Sequence, residues 1–226
     1  MAYGDIIQNK DGESYDTSVT VTLDSTPTEG NLLVASHYTG APDSSAPAGF
    51  SEAVALTHVD DEGAIYYKVA GAGESTSITA GASTTKNNML NVLEIEGPWN
   101  ATPLDQTASD GPNYSVSSQT SGTTSTTSQA DEFAVALITV DDVGKTLSGW
   151  TNSFVERSDN GGPIYKFAAV ATRLLTSTGA YETTATISAS SYAAVGGIAT
   201  FKKSAAGGAG GAIPVFMHHY RQQGMI

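Results

Sequence analysis

Cysteine is absent from the 226 residues, which excludes disulfides and thiolate metal sites. Positive charge is scarce: ten Lys and Arg stand against 23 Asp and Glu, for a formal net charge of -13. An acidic chain of this kind predicts no nucleic acid and no anionic membrane among its partners. Long apolar runs are missing too, and nothing approaches the roughly 18 apolar residues of a membrane-spanning helix. The opening Met1-Ala-Tyr-Gly-Asp5 has no basic region and no apolar run, so it does not read as a secretory signal. Synthesis in a cytoplasm without export is the expectation. Acid is also missing from one end: after Glu182 come Lys202, Lys203 and Arg221 and no carboxylate side chain, a distribution that would suit docking on an acidic partner.

What is abundant is Gly, Ser, Thr and Ala, with β-branched residues in short runs. Ser18-Val-Thr-Val-Thr-Leu23 alternates with the period of two expected of a half-buried strand, and Asn31-Leu-Leu-Val-Ala-Ser-His-Tyr38 reads as a strand buried on both faces. Further strands are predicted at 50–58, 64–70, 75–80 and 88–95. A second pass follows. Glu132–Val140 matches Asn31–Tyr38, Gly149-Trp150-Thr151 matches Gly49-Phe50-Ser51, and Pro163–Phe167 matches Ala64–Lys68. Thr183–Ser188 then matches Ser75–Ala80, and Tyr192–Phe201 matches Met89–Ile95. The conserved order of five elements reads as an internal repeat, with convergent strand patterning as the alternative. Between the passes lies a Ser/Thr-rich stretch, a flexible linker or an edge strand with its hydroxyls in water. Each half alone would leave an apolar sheet face bare, so stacking both halves in one domain is the favoured arrangement. The expectation is an all-β, two-sheet β-sandwich, jelly-roll-like or Ig-like, spanning 1–203, with halves at about 18–97 and 130–203.

Catalytic signals are weak. His37 and His58 lie on separate strands, and His218-His219 are adjacent and so diverge on a helix or a strand; no metal site is predicted. Asp60-Asp61-Glu62-Gly63 and Asp141-Asp142-Val143-Gly144 set carboxylates beside a turn glycine, which could bind a hard cation but reads more simply as two solvated turns. Glu94 and Glu132 lie on strands with nothing to pair them as a glycosidase would require. Nucleophile-elbow, zincin, phosphate-loop and dinucleotide signatures are all missing, so neither an enzyme nor a cofactor is expected. Trp99, in a loop after Gly97-Pro98, is the candidate exposed aromatic for stacking on a sugar, with core or edge packing as the plainer reading.

The end of the chain is different in kind. Residues 204–212 are small and read as a flexible linker that could extend about 30 Å. Residues 213–226 carry Ile213, Val215, Phe216, Met217, Tyr220, Arg221, Met225 and Ile226, a candidate partner-binding peptide. Pro214 suits a first helical turn, and Phe216 and Tyr220 share a face if the segment is helical. So short a helix would order on binding; a frayed terminus is the alternative.

Taken together, Glu29–Ala35, Gly49-Phe50, Ile65–Glu74, Val92–Gly97 and Pro103-Leu104-Asp105 resemble the β-sandwich domains of tailed-phage virion proteins and some bacterial surface proteins. The resemblance covers about 20–203 and carries no shared catalytic residues. It implies a virion surface module, a capsid decoration or head-surface protein and a homo-oligomer, docked to a major capsid or tail protein. A glycan-binding or host-attachment module of a tail fibre is the second reading.

Overall fold

The structure, a computed structural model, describes residues 2–142, 144–161 and 166–204. Twelve strands, and no helix, are found among them: β1 (Ile6–Thr22), β2 (Leu32–Thr39), β3 (Ser44–Ser45), β4 (Ser51–Thr57), β5 (Glu62–Val69) and β6 (Ser77–Ile95), then β7 (Trp99–Thr120), β8 (Glu132–Val140), β9 (Leu147–Ser148), β10 (Val155–Gly161), β11 (Phe167–Leu175) and β12 (Thr184–Lys203). They form two antiparallel sheets of six strands. The first has the order β1-β6-β2-β5-β4 with β3 on β6; the second has β7-β12-β8-β11-β10 with β9 on β12. Adding six to each strand number converts one sheet into the other, so the two halves share one topology.

The sheets stack face to face as a two-sheet β-sandwich. Leu32, Val34, Leu93 and Ile95 of the first sheet meet Phe133, Val135, Leu137 and Phe201 of the second in one apolar cluster. The edge strand β1 lies against β10, and β4 lies against β7, as an approximate two-fold axis between the sheets, exchanging β2 with β8, would place them. The central strands β2 and β8 are buried at every position. That fits their continuous apolar runs, which serve two layers at once.

The second layer comes from the long strands. β1, β6, β7 and β12 are 17 to 22 residues each, far beyond the usual five or six. Half of each belongs to the sheet; the other half bends back over the sheet's outer face. On the first sheet this brings Val19, Val21, Ile78 and Ala80 onto Ala35, Ala64, Tyr66 and Leu90. On the second it brings Ala185 and Ile187 onto Ile138 and Val140. Gly12 of β1 lies under Val21 and the Thr20 carbonyl of the same strand, so the fold-back is tight. The pair Gly196-Gly197 in β12 opens both faces: a Cβ on Gly196 would stand 2.1 Å from the Thr120 carbonyl oxygen, and one on Gly197 2.7 Å from Leu56 Cδ2.

Of the two readings of the stretch before 130, the edge strand holds as far as Thr120: Trp99–Thr120 is β7, paired with β12 from Lys203↔Trp99 to Thr184↔Thr120. One reading of the sequence needs correction. The third repeat match is out of register. Leu33 pairs with Lys68, and its counterpart Ala134 pairs with Arg173; Ala169–Arg173, not Pro163–Phe167, therefore occupies the place of Ala64–Lys68.

Candidate functional site

The peptide carrying Ile213, Val215, Phe216, Met217, Tyr220, Arg221, Met225 and Ile226 lies outside the described residues. The last described residue is Ser204, whose N–H donates to the Pro98 carbonyl at 3.0 Å. Beside it, the Lys203 ammonium lies 4.8 Å from the centre of the Tyr3 ring.

Trp99 is not an exposed aromatic. Only 8% of it is accessible, its indole N–H donates to the Ile95 carbonyl at 3.0 Å, and Tyr3 and Phe133 pack against the ring. The Gly97-Pro98 turn that reads as a loop in sequence tucks the indole under the N-terminal segment. Among the described residues, the exposed aromatics are Tyr15, Tyr114 and Tyr192. Tyr114 and Tyr192 form an edge-to-face pair, ring centres 6.1 Å apart. Tyr15 and Tyr114 end the same pentapeptide pattern, Asp11-Gly-Glu-Ser-Tyr15 and Asp110-Gly-Pro-Asn-Tyr114, a repeat that is readable in the sequence once β7 is known to be a strand. Each stands where a long strand turns back over its sheet.

Two surface concavities lie between the loop before the fourth strand of a half and the connection from its fifth to its sixth. In the first half, Phe50, Glu74 and Ile78 line a space of about 240 Å³, with Lys68 bridging to Glu74 at 2.9 Å. In the second, Asn152, Arg173 and Glu182 line about 440 Å³. There Arg173 lies over the Tyr181 ring and donates to the Asn152 carbonyl, while the Thr123 hydroxyl donates to Glu182. The charged groups pair with each other in the first concavity and with neutral hydrogen-bonding partners in the second.

The buried carboxylates anchor chain. Glu94, fully buried, accepts from Gln8 Nε2 at 2.5 Å, Asn31 Nδ2 at 2.7 Å and the Thr28 N–H at 2.8 Å, pinning the turn before β2. In the second half the carboxylate has changed partner strands. Glu132 stands opposite Lys202 at the start of β8, and Asp105 accepts from the Ser128 N–H and hydroxyl at 2.6 and 2.7 Å. Glu132 is thus not solitary, as it reads in sequence, but neighbours Asp105. Burial first, and then Asp105, push the Glu132 carboxyl up to about 7, and neither of its oxygens completes a hydrogen bond. Burial also works to raise Asp105, but the Ser128 donors and Lys202 hold it below the usual range.

Both histidines of the body are interior. His37 is held between Ser44 Oγ at 2.7 Å and Asn88 Oδ1 at 3.2 Å; His58 Nε2 meets Thr139 Oγ1 of the opposite sheet at 2.9 Å. Burial lowers each to about 4. Among the described residues, no group of three or more His, Asp or Glu is placed to hold a metal ion.

The acidic turns are where the structure departs most from the sequence picture of two separate, solvated loops. They converge from opposite sheets on one lysine. Lys166, the residue before β11, pairs directly with Asp61 Oδ2 and lies 3.2 Å from Asp141 Oδ1. Asp61 is 1% exposed. The Tyr38 hydroxyl donates to its Oδ2 at 3.2 Å, and its Oδ1 has no partner. Burial raises the Asp61 carboxyl above its usual range, against the pull of Lys166. An ammonium of the chain itself occupies the place between the turns.

Fold and site together define a duplicated two-sheet β-sandwich whose ionisable residues mostly hold its parts together. No family model, no curated protein and no solved structure matches this chain.

Proposed function

We propose that the chain is a structural protein of a tailed-phage particle, a capsid decoration or head-surface protein displayed as a β-sandwich and docked to a major capsid or tail protein. Its work is assembly rather than turnover. One observation carries the reading: the motif residues that resemble phage virion domains are spent on framework. Gly49 has the positive φ of a turn, Lys68 and Glu74 pair, Glu94 and Asn31 hold the turn before β2, and Asp105 holds Ser128. The four apolar clusters of the described residues are filled by side chains between Tyr3 and Phe201. The peptide 213–226, outside the described residues, is the segment proposed to meet the partner. Removing residues 205–226 should leave the unfolding free energy of the body within about 0.5 kcal/mol of the full chain and abolish incorporation into particles. Wild-type occupancy by the shortened chain would sink the docking role.

The second reading, a glycan-binding attachment module, rests on the exposed Tyr114–Tyr192 pair rather than on Trp99. Saccharide binding lost in a Tyr114→Ala, Tyr192→Ala double variant would favour it.

A further inference from the structure

We propose that Lys166 and Asp61 condense to an intramolecular isopeptide bond, which ties the two sheets together covalently. The inference does not depend on the particle role proposed above. It rests on four features of the cluster between the acidic turns. The amine and the carboxyl are in direct contact, so a bimolecular reaction becomes one between neighbours already in place. Asp61 is buried with one oxygen unpartnered, a site where a charged carboxylate is poorly solvated and a neutral amide is better accommodated. A second carboxylate, Asp141, touches the Lys166 nitrogen and can carry protons. The Tyr38 hydroxyl donates to the Asp61 carboxyl and can stabilise the negative charge that gathers on oxygen during attack. The direction of the Asp61 shift, toward the neutral acid, agrees with the electrophile this chemistry needs.

The step balances without any co-reactant. The Lys166 ammonium passes one proton by way of Asp141 to Asp61, leaving a neutral amine beside a neutral acid. The nitrogen lone pair attacks Asp61 Cγ; the C–N bond forms and the C–OH bond breaks. A second proton travels from nitrogen through Asp141 to the departing hydroxyl, which leaves as water. Two charges disappear from the interior, no group is oxidised or reduced, and Asp141 ends as it began.

Mass spectrometry of the full, denatured chain tests this. The expected mass is that of the sequence less one water, and digestion should give a branched peptide joining the segment around Asp61 to that around Lys166. Fragment sequencing is essential, because the Asp11-Gly12 and Asp110-Gly111 dipeptides could lose water locally as succinimides. Lys166→Arg and Asp61→Ala should each restore the full sequence mass. Asp141→Asn keeps both reacting groups and should leave the chain wholly or largely unlinked. A wild-type chain of full sequence mass overturns the proposal, as does a missing water that maps anywhere but residues 61 and 166. Because the wild-type mass is the primary readout, a variant that fails to fold does not blunt the test. Complete cross-linking in Asp141→Asn would overturn the role given to Asp141.

Discussion

The residues that titrate abnormally do so because the sandwich surrounds them. Glu132 is raised to about 7, so between about pH 4.5 and 7 the folded chain binds a proton that the unfolded chain releases, and stability contributed at this site falls as pH rises. Glu132→Gln keeps the shape and removes the charge. It should be neutral near pH 4.5 and stabilising by about 3 kcal/mol at pH 8, read from urea unfolding at the two values; equal effects at both would show that the carboxyl is not the cause. His37 and His58, lowered to about 4, act with the opposite sign. Their contribution is whole above pH 6.5 and is lost as pH falls toward 4, against the gains at Glu132 and Asp159, so a His58→Gln variant should lose less stability than the wild type between pH 7 and pH 4. For His37, His58 and Trp99 the sequence favours packing over a functional role, as the structure has it, without saying what each packs against. A loop position after Gly-Pro says nothing about what folds over it, and Trp99 is covered by Tyr3, nearly a hundred residues away in the chain.

Among the strands, those with an unambiguous pattern were legible. The runs Asn31–Tyr38 and Glu132–Val140 can only be interior, and they are β2 and β8. β7 reads in sequence as an edge strand or a linker, its bounds unmarked, because an edge strand needs neither an apolar run nor strict alternation: its backbone bonds to β12 hold it while most of its side chains meet water. The register of β11 was misjudged because Ile164-Tyr-Lys166 imitates Ile65-Tyr-Tyr-Lys68, whereas hydrogen bonding to β8 sets the true alignment. The glycine pair in β12 explains a feature that pattern alone cannot, since the fold-back of β7 and the approach of β4 meet there. Gly196→Ala puts a methyl carbon within 2.1 Å of the Thr120 carbonyl and should cost at least about 3 kcal/mol. Gly71→Ala, which meets nothing within 4 Å, should stay within about 0.5 kcal/mol. Similar losses at both positions in thermal unfolding would discount the crowding argument.

For the molecule as a whole, the repeat was legible and its consequence, two sheets sharing one core, follows from the bare faces each half would otherwise show. The convergence on Lys166 was not legible, because the turns at Asp61 and Asp141 hold different places in the repeat and meet only through the stacking of the sheets. Since the inner faces need each other, a fragment of residues 1–97 should bind an apolar dye and lack a cooperative unfolding transition. Mixing it with 98–226 should quench the dye. A compact, dye-free fragment would mean that the fold-back layer alone suffices for a stable half.

The shared core also has a consequence in time. The first sheet closes at Ile95, but its inner face waits for β8 to β12, which end at Lys203. At roughly 5–20 residues per second of synthesis, that face stands open on the ribosome for about ten seconds. In every chain made, about three-quarters of that exposure falls after β7 has emerged, an interval in which nascent chains on neighbouring ribosomes can pair the wrong halves with each other.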